Sequence, residues 1–135
     1  MEEVATSKGI KMEARYNDNN VMVPMDMDKM KQALYNILKN AMESIPGKGT
    51  ISVVVEPNGK DKMSIRISDT GSGLTSTEID RIFNPEYTTK EKGLGLGLPL
   101  AHEIIKGHNG EIQVESTIDS GTTFEILLPA ESNQA

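Results

Sequence analysis

Two pairs of alternating segments, each joined by a turn too short for a crossover, do most to limit what this chain can fold into. In Thr50–Glu56 the apolar residues Ile51, Val53 and Val55 fall at every second position, and in Met63–Ser68 so do Met63, Ile65 and Ile67. Pro57-Asn58-Gly59-Lys60-Asp61 links these two segments. Glu111–Thr117 and Thr122–Leu128 repeat the pattern around Ile118–Gly121. Period-two alternation interrupted by Gly, Asn and Asp predicts β-hairpins. Hairpin strands run antiparallel, so a purely parallel sheet is excluded.

Outside the hairpins the period changes. Met30, Leu34, Ile37, Ala41 and Ile45 recur at three and four residues, which predicts a helix over about 26–45 with one apolar face. Asp26 or Asp28 can cap its start, and Pro46-Gly47 stops it. A short helix is expected over Ser76–Ile82 and a longer one over Leu98–Gly107. Ile10–Tyr16 alternates as a half-buried strand, Asn17–Asn20 is a turn, and Val21–Pro24 is a short second strand. The order predicts an α+β fold: a two-layer sandwich whose mixed, mostly antiparallel sheet carries helices on one face. Residues 1–9 are polar and are expected to be a tail or linker remnant, with residues 10–135 forming the domain.

Composition narrows the function classes. The chain has 135 residues, enough for one domain with a core. It has no cysteine, which excludes disulfides, thiolate metal sites and cysteine nucleophiles. A net charge of -6 argues against nucleic acid and anionic membranes as partners, although a local basic spot can still hold an anion. No apolar run approaches the roughly 18 residues of a membrane span, and MEEVATSKG lacks the apolar core of a signal peptide. The expected setting is cytoplasmic, without direct membrane contact.

The segment Lys90-Glu91-Lys92-Gly93-Leu94-Gly95-Leu96-Gly97-Leu98 stands before the last helix. Alternating glycines let backbone N–H groups converge on an anion, and a helix start adds its positive end. A loop that uses glycine only for turning is the other reading. A dinucleotide fingerprint fails because Leu98 occupies the place of its third glycine, and a phosphate loop ending in G-K-[ST] is absent. Three further places bear on the choice. Asn36 and Asn40 lie four apart, on one stripe about a third of a turn from the apolar centre of their helix. Asp69 ends a strand and opens D-T-G-S-G-L, where its carboxylate can accept from an exocyclic amine or form a local turn. Gly121-Thr122-Thr123-Phe124 starts the last strand and can bring a hydroxyl near Asp69.

In order, these pieces resemble the ATP-binding catalytic domain of bacterial sensor histidine kinases, within the GHKL superfamily. N-I-L-K-N-A at 36–41 resembles the asparagine box, and D-T-G-S-G-L at 69–74 the first glycine box. Residues 82–90 resemble the phenylalanine box, G-L-G-L-G-L at 93–98 the second glycine box, and G-T-T-F at 121–124 the final motif. The resemblance covers about residues 10–129 and implies the Bergerat sandwich. It implies ATP and Mg²⁺ as ligands. Asn40 would hold the metal, and Asn36 would support the phosphate end. Asp69 would take the adenine amine, with Thr122 sharing that network through water. Gly71, Gly73 and Leu74 would pass close to the base. Tyr87, Thr88, Thr89 and Lys90 would border the nucleotide, with Glu43 near the phosphates. Gly93, Leu94, Gly95, Leu96, Gly97 and Leu98 would wrap the phosphates. The catalytic set implied is Asn36, Asn40 and Lys90.

The resemblance also implies a protein-histidine kinase of a two-component system. The ATP-hydrolysing relatives carry a glutamate four residues before the metal asparagine. Here that place is Asn36, which favours transfer to an acceptor over hydrolysis. The acceptor histidine would stand on a separate dimerisation and phosphoacceptor domain, and the phosphate would pass to a response-regulator receiver domain. His102-Glu103 has the dipeptide of such a histidine but lies in a helix that the family uses for packing. His108 reads as a cation at a helix end. The chain looks like a catalytic domain cut from a larger kinase, of a kind that can be membrane-anchored, and is expected to be monomeric alone and inactive in autophosphorylation. Docking is expected around Phe83 and Tyr87.

Overall fold

The computed structural model describes residues 9–16, 21–84 and 97–132. Its strands are β1 (Ile10–Tyr16), β2 (Val21–Met22), β3 (Gly49–Pro57), β4 (Lys62–Asp69), β5 (Glu111–Thr117), β6 (Gly121–Pro129) and β7 (Glu131–Ser132). Its helices are α1 (Met27–Glu43), α2 (Ser76–Arg81) and α3 (Gly97–Gly107). The main sheet runs β1-β3-β4-β6-β5. β1 pairs parallel with β3, and the other neighbours are antiparallel. The expected mixed sheet is therefore the observed one.

Register explains where the core lies. Val53, Ile67, Phe124 and Val114 stand in one row across β3, β4, β6 and β5. Val55, Ile65, Ile126 and Ile112 form the next. Both rows face α1 and α3, which contribute Met30, Ala33, Ile37, Ala41, Leu98, Ala101 and Ile105. Each large aliphatic side chain buried this way stabilises the fold by about 1.5–3 kcal/mol. The opposite face of the sheet carries Arg66, Ser68, Thr123 and Glu125 and is polar.

Three local features differ from expectation. α1 ends at Glu43, with Ser44 as its C-cap, two residues before the predicted stop. A residue that precedes proline is pushed out of the helical region, so Ile45 leaves the helix and turns into the core. Asp26, not Asp28, is the N-cap, and its side chain accepts from the Lys29 N–H at 3.2 Å. β7 pairs with β2 over two residues, too few for a periodic signal.

Among the described residues, no helix is long and apolar enough to cross a membrane. α1 and α3 are joined twice. The Asn36 Nδ2 donates to the Gly97 carbonyl at 3.1 Å, where α3 begins. At the far end the His108 Nε2 accepts from the Asp26 N–H at 2.9 Å, while its Nδ1 lies 2.7 Å from the Ile104 carbonyl. A ring nitrogen that accepts from an N–H carries no proton, so in this arrangement Nδ1–H is the donor to Ile104. His108 thus links the start of α1 to the end of α3.

Candidate functional site

The site lies where the inner face of the sheet stops being apolar. After the row of Val53, Ile67, Phe124 and Val114 comes Ile51, Asp69, Thr122 and Ser116. Period-two alternation keeps these side chains on the helix side, but three of the four are polar. Asp69 is 6% exposed and Thr122 4%. A buried polar row at the end of a core is costly unless it is bonded.

This row is bonded throughout. The Asp69 Oδ1 accepts from the Gly71 N–H at 2.8 Å. The Ser44 hydroxyl and the Thr122 backbone N–H lie near enough to favour its charged form, while the Ser44 Oγ gives its hydrogen bond to the Ala41 carbonyl at 2.9 Å. Burial pushes the Asp69 carboxyl above its ordinary range, and these three groups oppose that shift. A carboxylate offers about four acceptor positions, so capacity is left for a donor from outside. Beside it, the Ser116 Oγ donates to the Gly121 carbonyl at 2.9 Å and accepts from the Leu74 N–H at 2.7 Å. Its one proton is then committed, so the 2.8 Å bond to Thr122 must carry the threonine proton. Thr122 therefore presents only acceptor capacity beyond that bond.

The D-T-G-S-G loop is held from both sides. Ser72 N–H donates to the Ser44 carbonyl at 3.0 Å, and Asp119 N–H donates to the Ser72 carbonyl at 2.8 Å. A Cβ on Gly71 would stand 2.5 Å from the Ser44 Oγ and 2.9 Å from the Asp69 Oδ1. A Cβ on Gly73, whose φ is +77°, would fall on the Thr117 carbonyl. These glycines are required by the chain's own packing, before any ligand is considered. Leu74 is half-buried and packs against the core.

The other side of the site is the edge of α1. Asn36 and Asn40 are half-buried there. The Asn36 amide nitrogen is taken by Gly97, which leaves its oxygen. The Asn40 side-chain amide has no partner among the described residues. Glu43 is more exposed and lies 4.0 Å from Lys39, one turn back. Gly97 opens α3 within van der Waals reach of Asn36, while the Leu98 side chain points into the core and is 3% exposed. Tyr87, Thr88, Thr89, Lys90, Gly93, Leu94, Gly95 and Leu96 lie outside the described residues.

His102 and Phe83 belong to packing. Their rings stack at 5.0 Å, and Phe83 meets Phe124 edge-on at 6.4 Å. Burial, then the Lys106 charge, holds the His102 imidazole below its ordinary range, against the pull of Glu103. Phe83 is half-buried and packs against the core, and Tyr87 lies outside the described residues. Sequence reasoning did not single out Ser44 or Ser116. Alternation of Ile112, Val114 and Ser116 could have found the second, because it sets Ser116 on the inner face. Nothing in the spacing marked Ser44, whose role depends on where α1 stops.

Comparison with known proteins agrees with this geometry. Residues 25–132 match the family described as histidine kinase-, DNA gyrase B-, and HSP90-like ATPase. Sporulation kinase E of Bacillus subtilis is 39% identical, over 90% of this chain and 18% of that protein. The chain therefore spans about a fifth of that relative's length. The nucleotide-free catalytic domain of the histidine kinase ThkA superposes with a TM-score of 0.83 at 29% identity, covering 95% of this chain and 85% of that one. ThkA solved in complex with the response regulator TrrA matches with a TM-score of 0.78 at 26% identity, over 95% of this chain and 36% of that one. Fold, motif order and polar row converge: this chain belongs to the histidine kinase-, DNA gyrase B- and HSP90-like ATPase family, and in it forms an ATP-binding catalytic domain of the sensor histidine kinase type.

Proposed function

We propose that the chain binds Mg-ATP between the Asp69 row and the edge of α1, and donates the γ-phosphate to a histidine on a separate dimerisation and phosphoacceptor domain. The observation that carries this is the buried Asp69 carboxylate, positioned by the Gly71 N–H with acceptor capacity to spare, on the same side of the sheet as the Asn40 amide, which has no partner among the described residues. Asp69 accepts the adenine amine, and Thr122 offers an acceptor beside it. Asn40 suits Mg²⁺ because its amide oxygen, half-buried and without a partner among the described residues, is a hard ligand. When bound, the ion neutralises triphosphate charge. Among the described residues no cluster of three carboxylate or imidazole ligands exists, which fits a metal held mainly by phosphate and water.

The chain's own work is positioning. Asn36 anchors the start of α3, so backbone N–H groups at Gly97 and Leu98 and the positive helix end meet the phosphates. An amide at position 36 takes up no proton, so this chain lacks a base there to activate water. Lys90 and the glycines from Gly93 to Gly97 complete the phosphate side in this reading. Residues 10–135 form the domain, monomeric by itself and cytoplasmic. It acts within a longer kinase whose phosphohistidine supplies a response-regulator aspartate.

The test is titration with a non-hydrolysable ATP analogue, with and without Mg²⁺. Asp69→Asn is expected to weaken binding about tenfold to a hundredfold through loss of a bond to a charged acceptor. Asn40→Ala is expected to abolish the Mg²⁺ dependence. Normal binding by both variants rules out this site. Mixing the chain and labelled ATP with a cognate phosphoacceptor domain is expected to label a histidine there; its absence rules out the kinase reading.

A further inference from the structure

We propose that Asn58 is a site of spontaneous modification, losing its side-chain amide to become aspartate or isoaspartate, whereas Asn109, in the same Asn-Gly dipeptide, is protected by the fold. The sequence holds two such dipeptides, Asn58-Gly59 and Asn109-Gly110. The reaction needs only water and hydroxide. The Gly59 backbone nitrogen, once it has given its proton to hydroxide, attacks the Asn58 Cγ; glycine suits this role because no side chain crowds its nitrogen. A new N–Cγ bond closes an imide ring, the Cγ–Nδ2 bond breaks, and the amide nitrogen leaves as ammonia with a proton taken from water. Water then opens the ring at either carbonyl. One opening restores the backbone as aspartate, and the other leaves the chain running through the side-chain carbonyl as isoaspartate. One water is consumed, one ammonia is released, and nothing is oxidised or reduced.

Ring closure needs a glycine N–H free to lose its proton, a carboxamide free to swing onto it, and room for the ring. Asn58-Gly59 meets all of these. It lies in the turn between β3 and β4, and both residues are exposed. The Asn58 N–H donates to the Lys62 carbonyl at 2.9 Å, which holds the turn but not the reacting groups. Neither the Asn58 carboxamide nor the Gly59 N–H has a partner among the described residues. Nothing stands within 4 Å of where a Gly59 Cβ would lie. Asn109-Gly110 closes α3 instead. The Asn109 N–H donates to the Lys106 carbonyl at 3.0 Å and the Gly110 N–H to the Ile105 carbonyl at 2.9 Å, with Asn109 in the left-handed region at a φ of 60°. The attacking nitrogen is thus tied through its proton. Gly110 is buried, and a Cβ there would stand 2.7 Å from the Leu127 carbonyl oxygen and 2.8 Å from the Leu128 side chain. Reaction at Asn109 therefore waits on local opening of the helix end from β6. At Asn58 the product adds one negative charge to the turn that holds Asp61, whose carbonyl receives the Ala130 N–H at 2.8 Å. That turn follows the pair Pro57–Met63, at the opposite end of the strands from Ile51–Asp69, so the modification leaves the candidate site as it is.

The experiment incubates the folded 135-residue chain at mildly alkaline pH and follows conversion of amide to acid at each of the two asparagines by mass spectrometry of proteolytic peptides. Asn58 is expected to convert about tenfold faster than Asn109 or more, because the bond that ties the Gly110 N–H must break first. Both aspartate and isoaspartate are expected at Asn58, since the imide opens at either carbonyl. In denaturant, where both dipeptides are released, the two rates are expected to converge. Equal rates in the folded chain, or an Asn58 that stays an amide, overturns the inference. A difference that persists undiminished in denaturant assigns the contrast to the flanking residues and overturns the protective role of the fold.

Discussion

The two ends of the candidate site are built on opposite plans. At the Asp69 end the polar groups are bonded within the fold, and the glycines have backbone or side-chain oxygen against them. At the α1 edge the Asn40 amide has no partner among the described residues, and Gly97 has room beside it. A crowded end whose groups are already held suits recognition of a rigid base, because they lose little freedom on binding. An end with spare ligands suits a charged tail and a metal that bring their own partners.

The largest test of this contrast is Gly121→Ala. Gly121 has a φ of +93°, and a Cβ there would run into the Asp69 carbonyl. Backbone strain and overpacking together are expected to destabilise the fold by about 4 kcal/mol, read by denaturant titration. A loss under about 1 kcal/mol would show that the crowded end yields easily.

Next comes Asn36→Ala, expected to destabilise by about 1 kcal/mol through loss of the bond to Gly97. Gly97→Ala goes the other way. A Cβ there meets the Asn36 side chain at an ordinary 3.5 Å, so a gain of about 0.5–1 kcal/mol in stability is expected as the helix start becomes less free. The same pair of measurements at Gly121 and Gly97 would break the comparison if their signs agreed.

The last test is a slope rather than a step. Burial raises the folded Asp69 carboxyl above its ordinary 3.8, so the folded chain keeps that proton to higher pH than the unfolded chain does. Stability of the nucleotide-free protein, relative to Asp69→Asn, is then expected to fall as pH rises from that value through the folded one. Above it the difference should be flat. A difference that grows with pH would mean that Asp69 is held as a carboxylate more firmly than its burial allows.

Much of this fold was legible because alternation and helical spacing are local. The strands containing Ile51, Ile67, Phe124 and Val114 announce themselves one residue at a time, and the hairpin turns fix their neighbours. The motif order likewise brought out Asn36, Asn40 and Asp69. What could not be read was whatever depends on two distant segments meeting. Ser44 meets the loop after Asp69, through the Ser72 N–H, only because Ile45 precedes a proline and ends the helix early. His108 joins two helices only because the Asp26 N–H arrives from 82 residues away. Gly71 and Gly73 looked like room for a ligand, and are first of all room for Ser44 and Thr117.

The paired attachment of α1 and α3 has a mechanical consequence. Among the described residues one hydrogen bond ties the two helices at each end, Asp26 to His108 and Asn36 to Gly97, with Ala33, Ile37, Ala101 and Ile105 buried in the core between. Such a pair resists twisting as well as sliding. A shift of one helix must disturb a polar tie and apolar packing together, so the two move on the sheet as one block.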